Sequence, residues 1–518
     1  MRRTNPIVPS AIPAAVHLTA EYWPWARTGG LAEAVTGLAE AQAAGGTPVT
    51  VLLPLYRLAW DAQPDLEPVG PAFPVRVGDR EEQARLFGLP GLRPGPRVLF
   101  IAHPQYFDRA GIYGEGGADY ADNARRFAFF CAAALRLVPD LGPAGPVVLH
   151  AHDWHAALAP VYLRTVLDGR AGYDRVASVL SVHNAGFQGR FPPDALDAMG
   201  LDRALHDWRW MEWYGEVNVL KGGLRFTDLA TTVSPTHAAE LRTPEGGFGL
   251  HEVFLDLGDR FGGILNGIDL SRWNPAADPH LATPYSVDDR AGKLRCKAEL
   301  QAAYGLPQGD RAPIVALIAR LAHQKGLDLV LGGLLDRLPD ARFIFLGRGE
   351  ERYERALEEW AARAPGRIAV AREFSDHLEH RMLAGADLLL MPSLYEPCGL
   401  TQMRAQIYGT LPVARRVGGL VDTIEDGVTG FLFDAYDPAA LETALRRALA
   451  QYDDPERWAA MTDAAMRRDF GWARSVRQYD AIYRRALIAR GLLSSPEPAG
   501  SRRHRTAHRR GDGKQRLR

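Results

Sequence analysis

Residues 388–402 read LLLMPSLYEPCGLTQ, and this stretch indicates a strand, a turn and the start of a helix in immediate succession. The apolar run Leu388–Met391 is typical of a buried strand, and Pro392 ends it. Glu396 then lies in a turn that leads into a helix opening near Gly399. In open parallel sheets, ligands bind beyond the carboxyl ends of the strands. This carboxylate is therefore a candidate for a binding site.

Strands and helices alternate in the same way in both halves of the chain. Val49–Leu53 and Val147–Leu149 are continuously apolar, as expected of parallel strands that are covered on both faces. The alternation predicts an α/β protein with two doubly wound, Rossmann-like domains that face each other across a cleft. The predicted strands are Val16–Thr19, Val49–Leu53, Val98–Ala102, Val147–Leu149, Val176–Val182, Leu229–Val233, Pro313–Ala319, Arg342–Leu346, Arg367–Val370, Leu388–Met391, Leu411–Ala414 and Phe431–Phe433.

Turn residues in Leu265–Pro275 mark the predicted join between the two domains. We expect a first domain over residues 1–268 and a second over residues 269–492. A length of 518 residues is too great for one core and suits this division. Longer helices are predicted over Asp119–Val138, Trp154–Val166 and Asp469–Gly491.

The composition, with 47% hydrophobic and 24% charged residues, is that of an ordinary globular protein. The three cysteines lie far apart, which argues against a disulfide framework and favours a cytoplasmic protein. No apolar stretch approaches the length that spans a membrane, and prolines interrupt the N-terminal segment. We therefore expect neither a membrane span nor a secretory signal.

The net charge of −1 hides a basic C-terminal segment. Residues 501–518 carry eight Lys and Arg and one Asp, so the remaining chain has 53 basic and 61 acidic residues. The segment has too little apolar surface to fold, and residues 493–518 are predicted to be a basic disordered tail. A solvated tail and a contact with RNA or another polyanion both fit this composition. Nothing else indicates nucleic-acid binding, so we favour the solvated tail.

Charged side chains follow two predicted strands of the second half. Arg320 and Lys325 lie between the end of one predicted strand and the start of the next helix. A guanidinium, an ammonium and free helix amides suit a diphosphate better than a lone carboxylate, although solvated cations are the alternative. Glu396 could hold sugar hydroxyls and stabilise an oxocarbenium-like centre, while the amides of Gly399 and Leu400 point at the phosphates.

The first half offers glycines and histidines at its strand ends. Arg27, Gly29 and Gly30 follow the first strand, where glycines permit a ligand phosphate to approach the backbone, although most such glycine pairs are simple turns. The histidines of HAHDWH (150–155) and SVHN (181–184) could bind a metal, but their spacing matches no common zinc site. Hydrogen-bonded packing is the interpretation that we favour for them.

Two further features leave alternatives open. The aromatic rings of WRWMEWY (208–214) could form a platform for sugar rings or be buried under a helix or at a subunit contact. Cys398 is interpreted as a small packing residue, because nothing near it in the sequence marks it as a thiolate nucleophile.

Taken together, these segments resemble the bacterial glycogen synthases and plant starch synthases, retaining glycosyltransferases of the GT-B architecture. The resemblance extends from about Ala15 to Arg490. It is carried by IYGEGGADYADNARRFAFF (112–130), HAHDWHA (150–156), SVHNAGFQG (181–189), LKGGLRFTDLATTVSPTHAAE (220–240), LNGID (265–269), RLAHQKGLDL (320–329), EPCGLTQ (396–402) and YGTLPVARRVGGLVDT (408–423).

The resemblance implies transfer of glucose from a nucleotide sugar, expected to be ADP-glucose, to the non-reducing end of an α-1,4-glucan with retention of configuration. It implies that no metal or other cofactor is required. It also implies that the first domain carries the glycine loop and the acceptor side, that the second binds the nucleotide sugar, and that the final helix packs back on the first domain.

The resemblance also assigns roles to single residues. Arg320 and Lys325 would neutralise the departing diphosphate. Glu396 would hold the glucose, His183 would lie over the anomeric centre, and Asp153 would orient the acceptor hydroxyl. The donor-binding residues implied by the resemblance are Arg27, Gly29, Gly30, Asn266, Phe374, Cys398, Gly399, Leu400 and Thr401.

Several positions depart from the family pattern. Phe374 stands where the family usually has a tyrosine stacked on the base, and either ring can stack. Arg27 replaces a lysine, Glu33 with Ala34 replaces Asp-Val, and Leu394 replaces an arginine. The alternatives are therefore a related GT-B transferase with another nucleotide sugar or acceptor, such as UDP-glucose, and a glucan-binding protein without turnover.

Overall fold

The computed structural model describes residues 12–91, 93–141, 145–309, 311–371 and 375–494. Two mainly parallel sheets with helices on their faces form its framework. The strands are β1 (Ala15–Leu18), β2 (Val49–Pro54), β3 (Glu67–Pro68), β4 (Phe73–Val77), β5 (Arg80–Gly88), β6 (Arg97–Ala102), β7 (Gly114–Glu115), β8 (Ala118–Asp119), β9 (Val147–His152), β10 (Val176–Val182), β11 (Arg190–Phe191), β12 (Glu212–Trp213), β13 (Glu216–Asn218), β14 (Leu229–Thr232), β15 (Phe261–Gly263), β16 (Ile314–Ile318), β17 (Arg342–Leu346), β18 (Ile368–Ala371), β19 (Leu388–Met391), β20 (Leu411–Arg415) and β21 (Phe431–Phe433).

The helices connect these strands and cover both sheets. They are α1 (Gly30–Ala44), α2 (Arg57–Ala62), α3 (Pro104–Phe107), α4 (Asn123–Leu141), α5 (Asp153–Ala156), α6 (Leu158–Arg164), α7 (Ala195–Met199), α8 (Val219–Phe226), α9 (Pro235–Glu240), α10 (His251–Asp256), α11 (Ala291–Ala303), α12 (Leu327–Leu331), α13 (Leu334–Arg337), α14 (Glu351–Arg363), α15 (Asp376–Gly385), α16 (Thr401–Ile407), α17 (Gly418–Thr423), α18 (Pro438–Tyr452), α19 (Pro455–Met466) and α20 (Ala473–Ala489). Among the described helices, none has both the length and the apolar character needed to cross a bilayer.

The first sheet has the strand order β15-β14-β10-β9-β1-β2-β6-β5-β3, and β4 pairs with β5. The strands from β15 to β6 are parallel, and β5 adds an antiparallel edge. The chain runs outward from β1 through β2 to β6 and then returns to β9 on the other side of β1. The switch point of this sheet therefore lies between β1 and β9, where a ligand crevice is expected.

The second sheet is parallel throughout and has the order β18-β17-β16-β19-β20-β21. Its switch point lies between β16 and β19. The side chains of both strands are buried, because helices cover both faces of the sheet. The loops that follow these two strands carry Arg320, Lys325 and Glu396, so all three side chains leave the sheet at its switch point.

The predicted main strands are present; four of them match at both ends, and the ends of the others are shifted by at most three residues. The helix predicted over Asp119–Val138 begins later, at Asn123, because Ala118–Asp119 pairs with Gly114–Glu115 in a short hairpin. The single helix predicted over Trp154–Val166 is wrong. It divides at Ala157, because Pro160 has no amide proton to donate to the carbonyl of residue 156 and its ring would clash there. The sequence analysis also missed β3, β4 and β5.

Two segments of chain pass side by side between the sheets. The Ile268 amide donates to the Phe470 carbonyl at 2.7 Å, at the point where the chain leaves the first sheet and later returns to it. The last helix, α20, then packs on the first sheet. Tyr479 and Tyr483 of this helix are buried, and the Tyr483 hydroxyl lies 2.7 Å from His150 Nδ1 on β9.

Candidate active site

A partly buried ion pair lies at the switch point of the second sheet. Lys325 Nζ donates to Glu396 Oε2 at 2.6 Å, and the Ser393 hydroxyl donates to the same oxygen at 3.0 Å. Only 8% of the Glu396 side chain is exposed, against 21% of the Lys325 side chain. The lysine therefore neutralises a carboxylate that would otherwise be costly to bury.

Glycines allow the loops around this pair to approach each other. Gly326 has a φ of +71°, and a Cβ at this position would lie 1.9 Å from the Pro392 carbonyl oxygen. Gly418 packs against the other side of the turn, where an added Cβ would lie 2.0 Å from the Glu396 carbonyl oxygen. Any larger residue would separate the loop of Lys325 from the loop of Glu396. The geometry of the ion pair thus depends on backbone contact.

The loop after β16 also brings Arg320 to the cleft. Arg320 is exposed, and within the described part of the chain its guanidinium has no ion-pair partner. Its charge acts on Tyr395, the residue before Glu396. Burial raises the pKa of Tyr395, while a hydrogen bond with Asn184 and the charge of Arg320 oppose that rise. Because Asn184 belongs to the first half, Tyr395 contacts both sides of the cleft.

His183 and Asp153 lie together at the carboxyl ends of β9 and β10. Asp153 Oδ1 accepts hydrogen bonds from the amides of His183 at 2.6 Å and Asn184 at 3.4 Å. Asp153 has a φ of +56°, a strained conformation for a residue with a side chain. Burial raises the pKa of Asp153 to about 7 and lowers that of His183 to about 3. The histidine is therefore neutral at physiological pH.

The histidines of the first sheet are hydrogen-bonded to one another and to neighbouring side chains. His17 Nδ1 lies 3.0 Å from His152 Nε2, and His152 Nδ1 lies 3.0 Å from His183 Nε2. His150 instead contacts Ser181 and Tyr483, each at 2.7 Å. Nitrogens of His17, His150 and His152 are close enough together to hold a metal ion. Hydrogen bonds already use both ring nitrogens of each of these three residues.

The glycine loop after β1 is organised by a carboxylate that sequence reasoning missed. Glu21 accepts hydrogen bonds from the Thr28 amide at 2.7 Å, the Thr28 hydroxyl at 2.6 Å and the Gly29 amide at 3.2 Å. The Tyr113 hydroxyl also donates to Glu21, at 2.6 Å. The loop is thereby fixed before any ligand binds. The position of Glu21 directly after a strand could have indicated such a role.

The glycine loop meets the second half at the start of α16. A Cβ on Gly30 would lie 3.8 Å from Leu400 Cδ1. Gly399 and Thr401 are partly exposed beside Leu400, and Gly399 has a φ of +67°. The structure thus brings Gly30 of the first half next to Leu400 of the second, two of the predicted donor-binding residues.

Asn266 and Cys398 contact each other below this surface. Both are buried, and hydrogen bonds from Asn266 oppose the rise in the Cys398 pKa, which burial brings to about 12. Cys398 is therefore a neutral thiol, which fits a packing role rather than a nucleophile. Phe374, the residue predicted to stack on the base, lies outside the described residues.

Arg27 is held by carboxylates on both sides of the cleft. Its guanidinium lies 3.0 Å from Glu33 of the first half and 2.6 Å from Asp376 of the second. Glu33 also pairs with Arg404, which lies 2.9 Å from Glu379. Burial lowers the pKa of Arg404 to about 9 and raises that of Glu379 to about 7. Sequence reasoning missed Asp376, Glu379 and Arg404, since their partners are distant in the chain.

The aromatic segment 208–214 is only partly buried. Trp208 and Tyr214 are 69% and 84% exposed, while Trp210 stacks on Phe226 with ring centroids 5.1 Å apart. Trp213 packs against Arg190, whose guanidinium carbon lies 5.0 Å from the ring centroid. Packing within the chain therefore covers part of Trp210, which stays 37% exposed, and part of Trp213, but it does not account for Trp208 and Tyr214.

Two family models match most of the chain. Residues 15–256 match the model described as the starch synthase catalytic domain. Residues 303–464 match the model described as glycosyl transferases group 1. The first match includes Asp153 and His183, and the second includes Arg320, Lys325 and Glu396.

Relatives match the chain over nearly its whole length. A glycogen synthase of Anaeromyxobacter dehalogenans strain 2CP-1 is 42% identical over 474 residues, which cover 90% of this chain and 98% of the relative. A glycogen synthase of Opitutus terrae is 40% identical over 485 residues, which cover 91% of this chain and 99% of the relative.

Two solved structures resemble the fold. The catalytic domain of starch synthase IV from Arabidopsis thaliana, bound to ADP and acarbose, superposes with a TM-score of 0.84 at 33% identity, covering 92% of this chain and all of that one. Sucrose-phosphate synthase from Thermosynechococcus elongatus superposes with a TM-score of 0.58 at 18% identity, covering 92% and 99%. The second likeness concerns the fold alone.

Proposed function

The chain belongs to the glycogen and starch synthase family of GT-B glycosyltransferases, and from that premise we propose that it elongates an α-1,4-glucan with glucose from ADP-glucose. The anomeric bond to the diphosphate breaks, and a bond to the acceptor hydroxyl oxygen forms. The hydroxyl proton leaves with the nucleoside diphosphate. The products are ADP and a glucan that is one glucose longer, with the anomeric configuration retained.

One observation carries the residue assignment, namely the Lys325–Glu396 pair beside the exposed Arg320 at a switch point. Negative charge develops on the departing diphosphate, and fixed cations stabilise that charge without reorganising. We propose that Lys325 and Arg320 bind the diphosphate. Lys325 would exchange its contact with Glu396 for one with phosphate. Glu396 would then accept hydrogen bonds from the sugar and stabilise the positive charge at the anomeric carbon.

The first half supplies the opposite wall in this proposal. His183 is neutral, so it contacts the sugar by a hydrogen bond rather than by charge. Asp153 holds the backbone of the His183 loop, and we propose that it orients the acceptor hydroxyl. Gly29, Gly30, Leu400 and Thr401 are proposed to line the diphosphate.

The remaining proposed donor contacts lie at the edges of the site. Asn266 and Cys398 would form the floor beside Glu396, and Phe374 would stack on the base. Arg27 would reach the diphosphate only after it leaves Asp376. The donor is proposed to be ADP-glucose because the relative solved with a nucleotide contains ADP.

The proposed division of labour follows the two sheets. We propose that residues 1–268 form the acceptor side and residues 269–492 the nucleotide-sugar side. The paired segments at Ile268 and Phe470 would form the hinge about which the domains close. Closure would exclude water, which otherwise converts transfer into hydrolysis.

The test compares nucleotide release with glucan growth. Purified protein is incubated with glycogen or a defined maltooligosaccharide and with ADP-glucose or UDP-glucose. We expect release of ADP in step with chains that lengthen by single glucose units, and slower reaction with UDP-glucose. Release without lengthening would contradict the glucan acceptor, and faster reaction with UDP-glucose would contradict the donor assignment.

A further inference from the structure

A continuous chain of hydrogen bonds crosses the first sheet and ends at His183. Gln42 Oε1 lies 2.8 Å from His17 Nε2, and the other nitrogen of His17 lies 3.0 Å from His152 Nε2. The remaining nitrogen of His152 lies 3.0 Å from His183 Nε2. The four side chains come from α1, β1, β9 and the loop after β10. Three adjacent parallel strand ends thus support one linear chain.

Only one end of this chain reaches the cleft. The side chains of Gln42, His17 and His152 are fully buried, whereas His183 is partly exposed. Burial lowers the pKa of His17 to about 4 and that of His152 well below its usual value. The rings are therefore neutral at physiological pH, and each has one donor and one acceptor nitrogen.

The donors and acceptors along the chain depend on one another. The Gln42 carbonyl oxygen can only accept, so His17 must donate from Nε2 and accept at Nδ1. His152 then donates from Nε2 and accepts at Nδ1. His183 must in turn donate from Nε2. The acceptor nitrogen of His183 is then Nδ1, which the chain leaves for a ligand.

We propose that Gln42, His17 and His152 are positioning residues that hold His183 in the tautomer protonated at Nε2, so that Nδ1 accepts a hydrogen bond from a hydroxyl of the sugar substrate. A nitrogen with a free lone pair attracts a hydroxyl proton and repels a phosphate oxygen. His183 therefore selects sugar hydroxyls and does not bind the diphosphate. The identity of the sugar rests on the proposed function, whereas the tautomer does not.

A metal site at the same histidines would require this network to break. Every ring nitrogen of His17, His150 and His152 that could bind an ion already takes part in a hydrogen bond. His17 and His152 bond to each other, and their other nitrogens bond to Gln42 and His183. His150 bonds to Ser181 and Tyr483. Neutral imidazole cannot donate a proton and coordinate a metal through the same nitrogen. Metal analysis of the purified protein is therefore part of the test.

The first experiment reads the tautomer directly by long-range ¹⁵N NMR of histidine-labelled protein without substrate. The His183 signals are assigned by their loss in His183→Asn. We expect a pyrrole-type shift at Nε2 and a pyridine-type shift at Nδ1 of His183. We expect a mixture of tautomers in Gln42→Met, which cannot accept a hydrogen bond from His17. A proton on Nδ1 in the wild type, or stoichiometric bound metal, would overturn the proposal.

The second experiment tests whether the tautomer matters for turnover. Gln42→Met is expected to lower kcat about tenfold with little change in the KM for the donor, as is common when a residue that orients a histidine is lost. Gln42→Glu places a buried carboxylate against His17, which favours the doubly protonated ring and turns Nδ1 into a donor, so this variant should not restore the rate. Equal rates in the wild type and Gln42→Met would overturn the positioning role.

His150→Asn provides the matched control. His150 is as buried as His152 and lies on the same strand, but its own hydrogen bonds go to Ser181 and Tyr483, so it reaches the chain only through the contact of Tyr483 with Gln42. We expect a lower melting temperature with kcat within about twofold of the wild type. A tenfold loss of kcat in His150→Asn would mean that the loss in Gln42→Met comes from disturbed packing and not from the tautomer of His183. If no variant or wild type transfers glucose, the proposed function fails, while the NMR result still decides the tautomer.

Discussion

The carboxyl ends of the two sheets face the same cleft with different chemistry. On the first sheet, His17, His152 and His183 are neutral and joined by hydrogen bonds. On the second sheet, Lys325 and Glu396 form an ion pair at 2.6 Å. Similar doubly wound sheets therefore present oriented dipoles on one side and fixed charges on the other.

This difference corresponds to two parts of a nucleotide sugar. A diphosphate carries charge and gains more charge as it leaves, so it needs cations. Sugar hydroxyls are neutral and are distinguished by which atoms donate and which accept. A charged histidine opposite Lys325 and Arg320 would add repulsion in the cleft. In the proposed mechanism, the burial that keeps the first-sheet histidines neutral avoids this repulsion.

The largest effect is expected from removing the charges of the second sheet. Lys325→Ala and Glu396→Ala should each lower kcat at least about a thousandfold, which corresponds to about 4 kcal/mol of transition-state stabilisation. Lys325→Ala also leaves the buried Glu396 carboxylate without its countercharge. Initial rates of nucleotide release measure the effect, and circular dichroism checks that the fold is retained.

An ion pair at the opposite end of the same sheet provides the control. Lys297 Nζ lies 2.7 Å from Asp387 Oδ2, just before β19 begins, and both side chains are 10% exposed. Lys297→Ala should lower the melting temperature and leave kcat within about twofold of the wild type. If both lysine variants lost activity equally, the loss would come from broken buried pairs rather than from their place in the cleft.

The next effect concerns the neutral side of the cleft. His183→Ala should lower kcat about 30-fold, or about 2 kcal/mol, because one hydrogen bond to the sugar is lost and His152 Nδ1 loses its donor. This loss should depend little on ionic strength, since no charge is removed. Rates at low and high salt measure the difference from Lys325→Ala. A salt-dependent loss in His183→Ala would contradict the neutral role.

The sequence predicted the strands that border the cleft better than it predicted the hydrogen-bond and ion-pair partners of the side chains within it. Leu388–Met391 and Val176–Val182 are strands with the expected ends, because continuous apolar runs are a strong local signal. His183 directly follows one of these strands and Glu396 lies in the turn after the other, so their placement needed no tertiary information. Gln42 lies near the C-terminal end of a long helix, and only the folded sheet shows that its amide reaches His17.

The contacts that cross the cleft were also beyond sequence reasoning. Arg27 was expected to bind the donor, and the structure pairs it with Asp376, which is 349 residues away in the chain. No local pattern distinguishes a cation that binds a ligand from one that binds a distant carboxylate. The aromatic segment shows the same limit, because its residues differ in burial although they are adjacent.

Burial of neutral histidines should make the first sheet sensitive to acid. Burial lowers the pKa of His155 to about 3, and the charge of Arg126 adds to this shift. Between pH 6.5 and about 3 the unfolded chain binds a proton that the folded chain does not, so stability falls as pH falls from 6.5. His155→Phe should reduce that loss by about 1.4 kcal/mol per pH unit.

Denaturant unfolding at several pH values measures this slope. Above pH 7.5 the stability difference between His155→Phe and the wild type should be constant, which separates packing from titration. If the free energies of unfolding of His155→Phe and the wild type changed in parallel from pH 7.5 down to pH 5, His155 would not be buried in the neutral form.

The smallest effect is expected where the two sides touch through partly exposed ion pairs. Arg27 lies 2.6 Å from Asp376, but their side chains are 25% and 31% exposed, so solvent screens the attraction to within about 1 kcal/mol. Asp376→Asn leaves Arg27 its contact with Glu33 and should change kcat/KM for ADP-glucose only about two- to threefold, less at high salt. Glu351→Gln, in an exposed pair within α14, should change nothing measurable. If kcat/KM for ADP-glucose changed more than tenfold in Asp376→Asn and not in Glu351→Gln, the Arg27–Asp376 contact across the cleft would control domain closure. The contrast between the neutral first sheet and the charged second sheet would then explain only part of catalysis.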